Sequence, residues 1–258
     1  MLLALLERIT DAYFAFIPRR KPRLEQAQAT RLIAHRGAHD NDKGLIENTL
    51  VAFNLAEQAG CWGIEMDVHA TQDKILVVNH DPTLNRLWEH DVAIADLNFA
   101  QLRELVPGVP SLAEVVVQFG QRMHLFIELK APFQNEDALV QVLSGLTAGE
   151  DYHLLSLDAS IFKALSQCSK CSLLLVAEHN NVREFCNLSL KEQYGGVLGH
   201  YFLLSNKLVK PLKTARQNVG VGFIDTQYGL YRELNRDMNW IFTNRVDAMS
   251  TYLHTLLK

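Results

Sequence analysis

The chain has no surplus of positive charge, no long uncharged apolar run and too few cysteines for a disulfide framework, and each shortage removes a class of protein. A formal net charge of −4 argues against nucleic acid as a partner, because its binders present a basic face to the phosphate backbone. Cys61, Cys168, Cys171 and Cys186 are the only cysteines among 258 residues. They do not make the dense pattern of a small secreted fold, so a reducing, cytoplasmic setting is expected. Cys168-Ser169-Lys170-Cys171 has C-x-x-C spacing, but it should straddle a helix end and a strand start, and no second pair follows it. There is no internal repeat, low-complexity tract or linker. With 48% hydrophobic and 21% charged residues, the composition is that of an ordinary globular protein, long enough for one barrel-sized domain.

The N-terminus comes nearest to a membrane segment. Leu2, Leu3, Leu5, Leu6, Ile9, Tyr13, Phe14, Phe16 and Ile17 are apolar, but Glu7, Arg8 and Asp11 interrupt them. A transmembrane helix needs about twenty mostly apolar residues, which excludes a span. The stretch also lacks the basic start and small-residue cleavage site of a signal peptide. What remains is a unit over residues 1–30, an amphipathic helix followed by the basic Pro18-Arg19-Arg20-Lys21-Pro22-Arg23. It either packs on the lower end of the following domain or makes a peripheral membrane contact through residues 1–23, since a basic run beside an aromatic face suits anionic lipid.

From Arg31 to Lys258 short apolar runs alternate with helical patterns, the signature of a parallel α/β fold. Strands are expected at 31–34, 62–67, 123–128, 152–156, 173–176, 196–198, 219–224 and 240–243, the eight that a closed barrel requires. Helices are expected at 50–58, 98–105, 112–119, 137–146, 160–167, 181–192, 207–217 and 246–257. The run Ile75 to Val78 follows the second strand too closely for a parallel crossover, so it should return as an antiparallel hairpin turning near Gln72-Asp73-Lys74. That hairpin would rise above the barrel and bring His80 level with Asp67. Residues 80–128 leave room for a small lid that includes Leu87-Trp88-Glu89-His90.

The groups suited to chemistry stand at the ends of apolar runs: His35-Arg36 after the first strand, Glu65 and Asp67 on the second, His80 after the hairpin, Glu128 and Lys130 on the third. Alternate residues of a strand share a face, which pairs Glu65 with Asp67. Glu65, Asp67 and Glu128 offer only hard oxygen ligands, so one divalent cation of the Mg²⁺, Ca²⁺ or Mn²⁺ type fits better than zinc. Arg36 and Lys130 supply fixed positive charge, and the arginine fork matches phosphate oxygens. Together these groups point to a phosphate ester. His35 and His80 can divide proton transfer between an attacking hydroxyl or water and a leaving alkoxide. Glu47-Asn48-Thr49 caps the next helix and is expected to support the site as well, through Glu47 and Asn48.

In these residues the chain resembles the glycerophosphodiester phosphodiesterase family. The family's His-Arg-Gly, Glu-Asn-Thr, Glu-x-Asp, His-Asp and Glu-x-Lys are met in order by His35-Arg36-Gly37, Glu47-Asn48-Thr49, Glu65-Met66-Asp67, His80-Asp81 and Glu128-Leu129-Lys130. Softer matches follow at Thr83-Leu84-Asn85-Arg86, at Val109 to Glu114 and at Leu155-Ser156-Leu157-Asp158; the resemblance is strong from Arg31 to Ser160 and thin afterwards. It implies a TIM-type (β/α)8 barrel that hydrolyses a small-molecule glycerophosphodiester to glycerol 3-phosphate and an alcohol. It further implies His35 and His80 as acid and base, Glu65, Asp67 and Glu128 as ligands of Mg²⁺ or Ca²⁺, and Arg36 and Lys130 on the phosphate. Three departures stand out. Lys74 replaces a turn glycine, Gly222-Phe223-Ile224-Asp225-Thr226 replaces a Trp-Thr-Val-Asn-like strand, and Thr243-Asn244-Arg245-Val246 replaces Thr-Asp-x-Pro. Two other readings stand beside this one: a phosphodiesterase acting on lysophospholipid or phosphatidylglycerol at a membrane surface, and a non-catalytic barrel that binds phosphorylated ligands.

Overall fold

The computed structural model describes residues 12, 13 and 15–258. Among the described residues nine strands form one sheet: β1 (Arg31–His35), β2 (Gly63–Ala70), β3 (Leu76–Val78), β4 (His124–Leu129), β5 (Tyr152–Ser156), β6 (Leu173–Ala177), β7 (Gly196–His200), β8 (Asn218–Gly222) and β9 (Trp240–Thr243). All pair in parallel except β3, and β1 pairs with both β9 and β2. Eight parallel strands therefore close on themselves, and β3 returns outside the ring as the expected hairpin. From Leu24 onward the α-helices among the described residues are α1 (Leu24–Gln28), α2 (Leu50–Gln58), α3 (Asn85–Trp88), α4 (Phe99–Leu105), α5 (Leu112–Phe119), α6 (Glu136–Leu143), α7 (Ala159–Ala164), α8 (Val182–Glu192), α9 (Asn206–Thr214), α10 (Gln227–Leu234) and α11 (Val246–Leu257). The fold is the TIM-type (β/α)8 barrel that the strand count demanded.

The strand alternation decides which side chain faces which layer. On β4, Leu125, Ile127 and Leu129 join the core between sheet and helices, while His124, Phe126 and Glu128 point into the barrel. Barrel filling comes from Ile33, Phe126, Leu155, Leu174, Leu198, Trp240 and Phe242. The sixth parallel strand, β7, begins at a Gly195-Gly196 pair that could pass for a loop. A Cβ at Gly195 would lie 2.1 Å from the Cys171 carbonyl oxygen and one at Gly196 1.9 Å from that of Asn218, so both glycines admit the neighbouring backbones. Helix α10 was not expected; Thr226 caps it by accepting from the Gly229 N–H at 3.1 Å.

Residues 80–110 form more than a flap. Val77, Leu84, Ile94, Leu102, Val106 and Val109 make a separate small core against which Trp88 packs. Of the expected N-terminal helix, residues 1–11 and 14 lie outside the described residues, while Ala12, Tyr13, Ala15 and Phe16 are helical. The Arg20 carbonyl accepts from Asn235 Nδ2 at 2.8 Å, and α1 lies against α11. The basic segment thus sits at the N-terminal end of the barrel strands. Among the described residues no helix is long and apolar enough to cross a membrane, and the four cysteines are free.

The barrel floor carries two histidines where branched aliphatic residues usually sit. The Glu150 carbonyl accepts from His124 Nδ1 at 2.8 Å, which leaves His124 Nε2 to accept from His153 Nδ1 at 2.7 Å. His153 Nε2 is buried with no hydrogen-bond partner among the described residues. Trp62 stacks on His124 and the Arg31 guanidinium lies over Trp62. Burial, with the nearby charge of Arg31, lowers His124 to about 4, and burial with His124 beside it lowers His153 to about 3. Both rings are neutral in the folded protein at pH 7, while in the unfolded chain they take up protons near pH 6.5. Their contribution to stability is therefore present above pH 6.5 and is lost as the pH falls towards 4 and then 3. Between pH 7 and pH 5 the wild type should lose about 1–2 kcal/mol more unfolding free energy than His153→Leu does. Denaturant titrations at the two pH values measure the difference, and parallel losses in both proteins would remove the pair as an acid-labile element.

Candidate active site

The C-terminal end of the barrel opens into a cavity of about 510 Å³. His35, Arg36, Glu65, His80, Glu128 and Lys130 line one side of it. The strand registers bring them there: His35 on β1 stands beside Glu65 on β2, and Asp67 on β2 stands beside Glu128 on β4. The hairpin does what its length implied. Val68 pairs with Val78, and Asn79 N–H donates to the Asp67 carbonyl at 3.0 Å. Lys74 adopts φ +66° at the turn, where the family pattern has glycine.

Glu65, Asp67 and Glu128 each offer an oxygen within 4.8 Å of the others. Burial, with the charges of Asp67 and Glu128, raises Glu65 well above the usual carboxylate range. Asp67 is the opposite case: burial acts to raise it, but Lys130 and Arg36 outweigh that and hold it at about 2. Lys130 Nζ lies 2.7 Å from Asp67 Oδ1 and also contacts Glu128. Three carboxylates face two fixed cations, so adding one divalent cation and a singly charged phosphodiester brings the site to neutrality. The donor set is all hard oxygen, which suits Mg²⁺ or Ca²⁺. The residues fit such an ion.

Arg36 is held from every side. Its N–H donates to Glu65 Oε2 at 3.1 Å, its carbonyl accepts from the Asn48 N–H at 3.0 Å, Nη1 reaches Glu47 Oε1 at 3.0 Å, and Nε faces Asp67 Oδ2 at 3.2 Å. Its φ is +57° and that of Asn48 is +58°, left-handed values that non-glycine residues seldom adopt. Gly37 follows at φ +83° and packs so close to α2 that a Cβ would meet Ala52 at 2.8 Å. Asn48 Nδ2 donates to Asp67 Oδ2 at 2.8 Å, and Thr49 caps α2 by accepting from the Ala52 N–H at 3.2 Å. Glu47-Asn48-Thr49 thus ends a loop, starts a helix and braces both Arg36 and Asp67.

The two histidines are held in parallel ways. His80 Nδ1 donates to Asp81 Oδ1 at 2.7 Å, and Arg86 Nε donates to Asp81 Oδ2 at 2.5 Å. Arg86 Nη2 also reaches Glu47 Oε1 at 2.8 Å. Although burial acts to raise Glu47, Arg86, Asn41 and Arg36 hold it at about 2. His35 Nδ1 lies 2.7 Å from Asn244 Oδ1, and its Nε2 lies 3.7 Å from Glu65 Oε2. Burial, and then Arg36, lower His35 to about 4, against the raising effect of Asn244. Of the two histidines that lie near the motif, His69 bonds the His80 carbonyl at 3.1 Å and His39 bonds that of Gly37 at 3.1 Å; both act as struts. Arg86 entered the sequence reading only as a soft match, and Asp225 and Asn244 only as departures. Their roles depend on contacts between distant strands, which spacing does not carry.

The chain matches the glycerophosphoryl diester phosphodiesterase family over residues 35–248. It belongs to that family. A glycerophosphodiester phosphodiesterase of Caldanaerobacter subterraneus is 35% identical over 114 residues, 40% of this chain and 46% of that protein. Glycerophosphodiester phosphodiesterase 1 of Homo sapiens is 34% identical over 113 residues, 38% of this chain and 33% of that protein. These matches span less than half the length of either relative. Among solved structures, a glycerophosphodiester phosphodiesterase of Thermotoga maritima superposes with a TM-score of 0.71 at 25% identity, covering 84% of this chain and 96% of its own. An Oleispira antarctica phosphodiesterase in complex with the product sn-glycerol-3-phosphate shares the fold, with a TM-score of 0.70 at 24% identity over 88% of this chain and 99% of that one. For this member of the family, calorimetric titration with Mg²⁺ or Ca²⁺ should show one site. Glu65→Gln or Asp67→Asn should weaken it at least tenfold and Glu178→Gln, on the far wall, should not; equal affinity in all four proteins would remove the triad as the cation site.

Proposed function

We propose that the protein hydrolyses glycerophosphodiesters to sn-glycerol 3-phosphate and an alcohol, with a divalent cation, Mg²⁺ or Ca²⁺, held by Glu65, Asp67 and Glu128. One observation carries the reading: two histidines, each tethered through Nδ1, line the same cavity as Glu65, Glu128, Arg36 and Lys130, and the buried Asp67 converges with the two carboxylates. Arg36 and Lys130 hold the phosphate, Arg36 by its fork and Lys130 as a point charge. His35 and His80 divide the protons. One takes the proton of the attacking hydroxyl or water as its oxygen bonds to phosphorus, and the other gives a proton to the alkoxide as the old P–O bond breaks. Glu47 and Asn48 keep Arg36 and Asp67 in place. The bound cation supplies electrostatic stabilisation of charge on the phosphoryl oxygens. Release of glycerol 3-phosphate from glycerophosphocholine, -ethanolamine, -inositol and -glycerol should require added cation, stop with chelator, and fall by roughly 10²-fold or more in His35→Ala, His80→Ala and Glu65→Ala. Folded, cation-loaded protein that releases nothing from any of the four would overturn this reading.

A second reading is favoured by the far wall of the cavity. Leu155, Leu157, Val176, Leu198 and Leu203 line it beside Glu178 and His179, and the apolar part of that surface suits an apolar chain better than a small charged headgroup. A lysophospholipid brings such a chain. The basic segment Arg19–Arg23 lies at the opposite end of the barrel, so a membrane contact through that segment would turn the cavity mouth away from the bilayer. Dispersed single-chain lipid is therefore the better candidate, ahead of bilayer phosphatidylglycerol. Val176→Asp should lower kcat/KM for lysophosphatidylcholine at least tenfold while changing that for glycerophosphocholine by less than threefold. Equal effects on both substrates would confine the enzyme to short polar ones. A barrel that only binds phosphorylated ligands would retain neither activity.

A further inference from the structure

Asn244 and Asp225, two departures from the family pattern, touch each other and one of them touches His35. Asp225 Oδ1 accepts from Thr243 Oγ1 at 2.8 Å and from the Asn244 backbone N–H at 2.8 Å, and Asp225 Oδ2 faces Asn244 Nδ2 at 3.3 Å. A carboxylate only accepts, so the amide must turn its NH₂ towards Asp225 and its carbonyl oxygen towards His35. An amide oxygen also only accepts. The His35 nitrogen 2.7 Å away, Nδ1, must then carry the ring proton. In a neutral imidazole the lone pair falls on the other nitrogen, Nε2, which is the one on the Glu65 side at 3.7 Å.

We propose that Asn244, oriented by Asp225, is a positioning residue that fixes His35 as the Nδ1–H tautomer and so makes it the proton acceptor of the reaction. The role rests on the phosphodiesterase reading above; the tautomer does not. The opposite tautomer would set the Nδ1 lone pair against the amide oxygen, and turning the amide to relieve that would set its oxygen against the carboxylate. Each correction creates the next conflict, so the relay has one consistent state. Behind His80 the tether is an anionic carboxylate, Asp81, in place of a neutral amide. The two histidines are thus tethered through the same ring nitrogen by different groups.

The test combines a spectrum with kinetics. Long-range ¹H–¹⁵N correlation spectra of imidazole-labelled, cation-free protein near neutral pH, with His35 assigned by loss of its signal in His35→Gln, should show Nδ1–H at His35. Asn244→Ala should shift that signal towards the Nε2–H form and lower kcat roughly 10–100-fold with KM within twofold, a part of what general acid–base catalysis supplies. The reciprocal pair Asp225→Asn with Asn244→Asp keeps an acceptor on His35 and a donor–acceptor contact behind it, and should restore both the Nδ1–H signal and most of kcat. A structural defect alone would not be repaired by exchanging the two groups. An Nε2–H His35 in a wild type with full turnover would overturn the relay and leave the reaction standing. An Nδ1–H His35 in a protein that turns over no phosphodiester would overturn the reading on which the catalytic role depends.

Discussion

Three carboxylates, two buried and one half-buried, whose oxygens lie within 4.8 Å of one another, are the constraint to which the rest of the structure answers. Leaving one buried charge without a partner costs several kcal/mol, whereas a non-glycine residue in the left-handed region costs about 1–3 kcal/mol. The second cost is the smaller, and around Asp67 the chain accepts it twice. Arg36 and Asn48 both take positive φ, and in doing so present a guanidinium and an amide to Asp67 from opposite ends of one loop. Lys130 closes the set from β4. Asp67 lies well below the usual carboxylate range because Lys130 and Arg36 face it, and Glu65 lies well above because burial and its two carboxylate neighbours act on it.

A further ring of charges extends the same logic outward. Glu47 cannot neutralise Arg36 without itself being buried, and Arg86 balances it from α3. Arg86 also reaches Asp81, which tethers His80. One arginine in residues 80–110 therefore connects the support of the first motif to that of the second histidine. This gives the small core around Leu84, Ile94 and Leu102 its purpose. A loop held only at its ends would not fix Arg86, and residues 80–128 were expected to leave room only for a small lid because the apolar residues of 80–110 are spread too sparsely to announce a core of their own.

Most of the barrel and one half of the site were legible in the sequence. Strands carrying polar residues at their ends announce themselves, because Ile64, Met66 and Val68 must face the helices while Glu65 and Asp67 face the axis. The hairpin could be placed by counting, since pairing in a two-stranded turn is local. The helix from Gln227 to Leu234 was not legible. Its apolar stripe is short and contains Gly229, and what supports it is the cap from Thr226 and packing from both sides of the chain. The strand beginning at Gly196 was ambiguous for a related reason: its glycines answer to the backbones of Cys171 and Asn218, which are distant in sequence. Asp225 and Asn244 were visible only as misfits, and each explains the other once β8 and β9 are paired. The family pattern has an amide in the earlier segment and a carboxylate in the later one. This chain has them exchanged, so the contact retains one of each.

The same barrel shows why one half reads more easily than the other. Strands β1, β2 and β4 with the hairpin carry the groups proposed to make and break bonds, and such groups need fixed types at fixed positions. Strands β5, β6 and β7 contribute Leu155, Val176 and Leu198 to the cavity, where volume and apolarity matter and identity does not. Selection for chemistry leaves motifs, while selection for shape leaves only a hydrophobic pattern that many sequences satisfy. Resemblance strong to Ser160 and thin beyond it is the expected trace of that division. Asp225 and Asn244 are the exception that supports it: within the late, variable part of the chain they touch a ring on β1, and there the sequence returns to polar residues whose donors and acceptors must match.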